Sequence, residues 1–156
     1  MTMTKRVICD TNVHDAVAVD PGFKRLIERA VADGHIALST THVQLTELSK
    51  IPPRNDIGQA SAIGANRTGT AVFVLDYSRL DEDRLGTPQT NAAFEAIRQG
   101  NPRHTEDAMI GATAFADADI LVTDDTKFRK RFEALNSPVE VMSSVEFASY
   151  ITHILS

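Results

Sequence analysis

A handful of acidic residues stand where a folded chain could use them together: Asp10, Glu47, Asp107 and the pair Asp124-Asp125. Asp10 follows the apolar run Arg6-Val7-Ile8-Cys9, in Asp10-Thr11-Asn12, and the pair follows Ile120-Leu121-Val122-Thr123. In open parallel sheets, ligands bind beyond the carboxyl ends of the strands. If these two strands are neighbours, their acids converge. Glu47 falls inside the apolar arc of Val43, Leu48 and Ile51 at about 100° per residue, although Leu45 lies off that arc. A carboxylate on a buried face must be paired or bound to metal. Asp107 opens a helix whose face carries Gly111, Ala114 and Ala118. Such small residues would let that face lie close to the sheet, with Asp107 projecting towards the strand ends. Carboxylates gathered in one place repel one another unless a cation intervenes. Hard oxygen donors favour Mg²⁺ or Mn²⁺. Those ions activate water and stabilise the charge that builds on a phosphodiester during displacement.

The elements that must position these acids alternate strand-like and helix-like, as in an α/β fold with a mainly parallel sheet covered by helices. Strands are expected at Arg6–Cys9, His35–Leu38, Ala71–Leu75, Ile120–Val122 and Val139–Met142. The first is continuously apolar, as for a strand buried on both faces. Asp20-Pro21 caps a helix through Phe23, Leu26, Ile27, Ala30 and Val31 that stops at Gly34. Ser39 or Thr40 can cap the next, which ends at Pro52-Pro53. Residues 54–69 suit one short helix weakened by Gly58 and Gly64, and residues 80–89 read as a loop. Further helices are expected from Thr90 to Gln99, from a Thr105 cap to about Asp117, and around Phe128, Phe132 and Leu135. Ser143-Ser144-Val145-Glu146 has the spacing of a capping box and opens the last, through Phe147, Ala148, Ile151 and Leu155.

With 156 residues, 42% of them hydrophobic, the chain fits one domain, 1–156, with an ordinary core. A net charge of -5 disfavours a general polyanion binder. It is compatible with a nuclease, whose metal ligands are themselves negative. The single cysteine, Cys9, cannot form an intrachain disulfide. No apolar run approaches the roughly 20 residues of a membrane span, and the polar start through Arg6 lacks the apolar stretch of a secretory signal. A cytoplasmic protein with no membrane contact is expected.

Each acid taken singly has a structural explanation. Asp10 could form an Asx turn, Asp107 and Glu106 could favour the positive end of a helix, and Asp124 or Asp125 could be an N-cap. Glu47 could sit at the rim of its stripe beside an arginine. Capping does not require all of them in that order, and a cap can also be a ligand. Cys9 reads as packing. The five histidines show no zinc spacing, and His104 reads as a loop residue. Lys127, Arg129, Lys130 and Arg131 cluster at one helix start, where Lys127 could contact RNA phosphates and Lys130 reads as solvated. Arg103, just before Asp107, is a second candidate for substrate contact. The chain has neither a Walker-type phosphate loop nor a Gly-x-Ser-x-Gly elbow.

Taken together, the four segments resemble a PIN domain. Val7-Ile8-Cys9-Asp10-Thr11-Asn12 resembles its opening strand and first acid, and Thr46-Glu47-Leu48 its second. The run from His104 to Ala114 resembles its third motif, and Leu121-Val122-Thr123-Asp124-Asp125-Thr126-Lys127-Phe128 its fourth. In that last motif the acid stands two after the threonine, which selects Asp125 over Asp124. The resemblance covers nearly the whole chain and is weakest over 52–101. It implies a three-layer α/β/α sandwich with a five-stranded sheet and a metal-dependent endoribonuclease. Asp10, Glu47, Asp107 and Asp125 would hold the metal, supported by Thr11, Asn12, Thr123 and Asp124, with water attacking in line. It also implies that the chain could be the toxin of a toxin–antitoxin pair, with an antitoxin covering the acidic site and homodimers common. Two other readings compete. One is a phosphotransfer domain using Asp10 or Asp76, although no lysine follows the fifth strand. The other is a PIN-fold binding module without activity.

Overall fold

Val7, Ile8 and Cys9 offer no polar face to water, so the strand carrying them needs cover on both sides. The computed structural model, which describes residues 3–41, 66–67, 70–71, 78 and 83–156, provides it. Strand β1 (Lys5–Cys9) lies between β2 (Ile36–Thr40) and β4 (Ile120–Val122), and β5 (Glu140–Met142) follows β4. A two-residue strand, β3 (Asn66–Arg67), pairs with β2 on its far side, and every pairing is parallel. The β1–β4 register sets Cys9 opposite Val122, so the strands leading to Asp10 and Thr123 end side by side.

The alternation of side chains divides the core in two. Val7, Cys9, Ile120 and Val122 face one cluster with Val13 and Val17 of α1 (Thr11–Val19), Phe23 and Ile27 of α2 (Pro21–Ala32), and Phe147 and Ile151 of α6 (Ser144–Leu155). Ile8 and Leu121 face a second cluster. It draws Phe94 and Ile97 from α3 (Pro88–Arg98), Met109 and Ile110 from α4 (Thr105–Asp117), and Phe128 and Phe132 from α5 (Thr126–Glu133). The sheet is therefore flanked by helices on both faces.

Several local expectations change in the folded chain. Helix α1 follows Asp10 immediately, where only a turn was legible. Asp10 is its N-cap, and Val13 and Val17, four apart, give it a buried side. Ser39 and Thr40, candidates for a helix cap, are instead the last residues of β2, because that strand pairs on both sides. Helix α3 begins at Pro88, inside the expected loop, behind a reciprocal Thr87–Thr90 capping box. Thr105 is not a cap. A 3₁₀ turn (Pro102–His104) leads into α4, and the N-cap His104 makes no side-chain cap bond. Gly111 approaches neighbouring helices rather than the sheet, since a Cβ there would lie 2.4 Å from Ile97 Cδ1 and 3.1 Å from Phe128 Cε2. Gly34 does end its helix, at φ 76°, which a side chain would resist.

The final helix opens on the expected capping box between Ser143 and Glu146. Arg129 extends it. Its guanidinium donates to Glu146 and Glu133 at 2.6 Å each and to the Val141 carbonyl at 3.2 Å, joining α5, β5 and α6. Glu146 is held down to about 2, first by Arg129 and then by the Ser143 bonds. The expected strand at 71–75 and the helix carrying Val43, Glu47, Leu48 and Ile51 lie outside the described residues, Ala71 excepted; so does Asp76. Among the described residues, no helix is long and apolar enough to cross a membrane.

Candidate active site

The seam between β1 and β4 builds the centre of the site. As β1 ends, the Asp10 amide donates to the Val122 carbonyl at 2.8 Å, which continues the ladder one residue beyond the strand. The Asp10 carboxylate is then fixed at both oxygens. Oδ1 accepts from the Thr11 amide at 2.8 Å and Oδ2 from the Thr123 hydroxyl at 2.9 Å. That hydroxyl in turn accepts the Asp125 amide at 3.1 Å. One threonine side chain thus joins the acid after the first strand to the acid after the fourth. Asp125 caps α5, with Oδ1 accepting from the amides of Lys127 and Phe128 at 2.9 and 3.0 Å. Cap and candidate ligand coincide in this residue.

Asp10 is 5% exposed. Burial pushes its carboxyl up, the Thr123 and Thr11 bonds oppose this, and the charges of Asp125 and Asp124 add to it. Asp107, in the first turn of α4, is pushed up to about 6. Burial is the main cause, followed by the charges of Asp10 and Asp125, against the opposing pull of Arg131. The acids that the sequence singles out after β1, in α4 and at the cap of α5 therefore feel one another's charge in the fold. Glu47 lies outside the described residues.

Arg131 was legible only as part of a basic cluster. In the structure its Nη2 donates to Asp107 Oδ2 at 3.3 Å, from a side chain only 11% exposed. The signal was present in the helical spacing. Phe128, Phe132 and Leu135 define the buried arc of α5, and Arg131 falls about 60° from Phe128 at its margin. Arg129 is committed to Glu133 and Glu146. Lys127, Lys130 and Arg103 are exposed.

Asp124 turns the other way from its neighbour. It accepts from the Ser144 amide and hydroxyl at 2.8 and 2.7 Å and so ties the fourth strand end to α6. Its amide donates to Asn12 Oδ1 at 3.4 Å. Thr11 contributes its amide to Asp10. Cys9 lies in the core, and its thiol is pushed up to about 12 by burial and then by Asp10 and Asp124, which suits packing and not nucleophilic chemistry. His104 is half-buried, its Nδ1 3.2 Å from the Arg98 carbonyl oxygen.

The donors present suit a hard divalent cation in kind and in charge. All are carboxylate oxygens, and their mutual repulsion is a demand for positive charge. Asp107 Oδ1 and Asp125 Oδ2 accept no hydrogen bond among the described residues. Asp10, Asp107 and Asp125 do not by themselves surround one point: among the described residues, no three acids, histidines or cysteines stand close enough to hold one ion.

No known family profile matches the chain, and no curated protein matches it in sequence. Solved structures do match. VapBC-1 from nontypeable Haemophilus influenzae superposes with a TM-score of 0.53 at 14% identity, over 90% of this chain and 98% of that one. VapBC2 from Rickettsia felis, bound to a DNA fragment from their promoter, gives 0.49 at 13% identity, over 88% and 96%. The chain has a PIN-like α/β fold, similar to that of VapBC-1.

Proposed function

We propose that this chain is a metal-dependent endoribonuclease of the PIN type, a single three-layer domain over residues 1–156 acting in the cytoplasm. One observation carries the reading. The Thr123 hydroxyl bridges Asp10 and Asp125 across the adjoining ends of β1 and β4, with Asp107 in electrostatic reach of both. The likeness of fold to VapBC-1 supports it.

Asp10, Asp107 and Asp125, completed by Glu47, would hold Mg²⁺ or Mn²⁺. Such a cation supplies charge to activate water and to offset the developing charge of a phosphodiester. The residues of the chain supply position. Asp10 is locked by donors on both oxygens, so its orientation is set before any ligand arrives. Asp125 keeps one oxygen on the α5 amides and the other clear of protein donors among the described residues. Arg103 and Lys127, exposed on the segments that carry Asp107 and Asp125, are offered as contacts to RNA phosphates. VapBC complexes join a PIN-domain toxin to an antitoxin, which supports an antitoxin as partner here, with a homodimer as the second assembly.

Purified protein incubated with RNA tests the reading. Cleavage is expected in Mg²⁺, lost in chelator, restored by Mn²⁺ and absent in Asp10→Asn. Undiminished cutting in excess chelator would exclude a metal mechanism. No cutting despite Mn²⁺ binding would favour a binding module.

A further inference from the structure

Arg131 is an unusual resident of an interior. Its charge is permanent at any relevant pH, its side chain is 11% exposed, and its Nε is buried without a hydrogen-bond partner among the described residues. Among the described residues its only acceptor is Asp107 Oδ2, at 3.3 Å. A guanidinium left this short of acceptors is costly to bury. Its placement is explained by the acid it meets. Asp107 stands among other negative charges at the end of the sheet, and Arg131 is the cation that the protein itself brings to it.

We propose that Arg131 is a built-in counter-ion of the acidic site, a positioning residue that holds Asp107 by Oδ2 in the metal-free protein and leaves Oδ1 for a divalent cation. The inference rests on the metal-dependent reading above and adds to it. Guanidinium and cation share one carboxylate, each on its own oxygen. The metal-free chain is thereby spared part of the repulsion among its acids, and Asp107 keeps one orientation whether the cation is bound or not. The arrangement parallels the outer hydrogen bonds that orient carboxylate ligands in metal sites. Two consequences separate it from simple packing. The cost of losing Arg131 must depend on the Asp107 charge, and it must shrink when another cation neutralises that charge.

The test uses thermal unfolding of the full chain as wild type, Arg131→Met, Arg131→Lys, Asp107→Asn and the double variant Arg131→Met/Asp107→Asn, each in chelator and in saturating Mn²⁺. In chelator, Arg131→Met is expected to lower the midpoint by on the order of 5 °C, and Arg131→Lys to keep most of it. In the Asp107→Asn background the same loss should fall to a third or less. Mn²⁺ should raise Arg131→Met more than the wild type. If Arg131→Met alone does not fold in chelator, its recovery by Asp107→Asn or by Mn²⁺ supports the proposal. An equal deficit in both backgrounds and in both buffers overturns it and leaves packing as the role of Arg131. A wild type whose midpoint does not respond to Mn²⁺ overturns the metal reading and this inference with it. A responsive wild type with an unchanged Arg131→Met deficit overturns this inference alone.

Discussion

The hydroxyl of Thr123 stands between the first and last acids of the site, donating to Asp10 Oδ2 at 2.9 Å and accepting from the Asp125 amide at 3.1 Å. Thr123 itself is 1% exposed, so neither bond can be replaced by bulk water. Thr123→Val keeps the shape and removes both bonds. It is expected to cost about 1–3 kcal/mol in urea unfolding and to lower RNA cleavage at least tenfold. Thr123→Ser should restore most of each. A Val variant as active as the wild type would detach Thr123 from the site.

Asp107 makes the stability of the metal-free protein depend on pH. Its carboxyl lies at about 6 in the folded chain, against about 3.9 when unfolded. Between these values the folded chain holds a proton that the unfolded chain has released. Stability therefore falls as pH rises from about 4 to about 6, and the penalty is complete above that. Asp107→Asn removes the charge. It should flatten this slope, while cleavage falls by roughly 100-fold or more. Urea melts across that pH range check the sign.

Asp124 and Asp125 are adjacent but serve different ends. Asp125→Asn keeps a good N-cap, since asparagine caps about as well as aspartate. It should leave stability within about 0.5 kcal/mol yet abolish cleavage. Asp124→Ala loses both Ser144 bonds. It should cost about 1 kcal/mol with cleavage largely retained. The reverse pattern would reassign the ligand to Asp124.

Gly111 lies where Ile97 of α3 and Phe128 of α5 pack closely against α4. A Cβ there meets Ile97 Cδ1 at 2.4 Å and the Phe128 ring at 3.1 Å, and both partners are fully buried. Gly111→Ala should cost about 1–3 kcal/mol. Ile97→Val, which deletes the clashing methyl, should recover a good part of that in the double variant, as a double-mutant cycle would show. Additive losses would place the strain elsewhere.

The chemistry of the candidate site was legible because carboxylates at strand ends and helix starts are a pattern of residue types. Its assembly was not. That Asp10 and Asp125 converge depends on β1 pairing with β4, a contact between segments more than a hundred residues apart that no local pattern encodes. Strands β1 and β4 could be read because burial on both faces leaves a continuous apolar signature. Helix α1 was missed because Asp10-Thr11-Asn12 has turn chemistry and its valines are β-branched, so the helix depends on Val13 and Val17 packing into the core. Ser39 and Thr40 suit a cap and a strand alike, and only pairing on both sides decides. Arg131 was hidden among exposed basic neighbours. Its direction is fixed by how α5 lies against α4, which sequence spacing hints at but does not determine.

The hold of Arg129 on the Val141 carbonyl bears on solubility as well as on fold. Among the described residues, β5 is the last strand on its side of the sheet. A terminal strand with free carbonyls and amides is a template on which other chains can polymerise. Arg129 occupies one of those carbonyls and places charge along the border, so fibre growth by strand addition is discouraged there. Loss of this arginine would therefore show first as turbidity at high concentration, before any change in the chemistry of the acidic site.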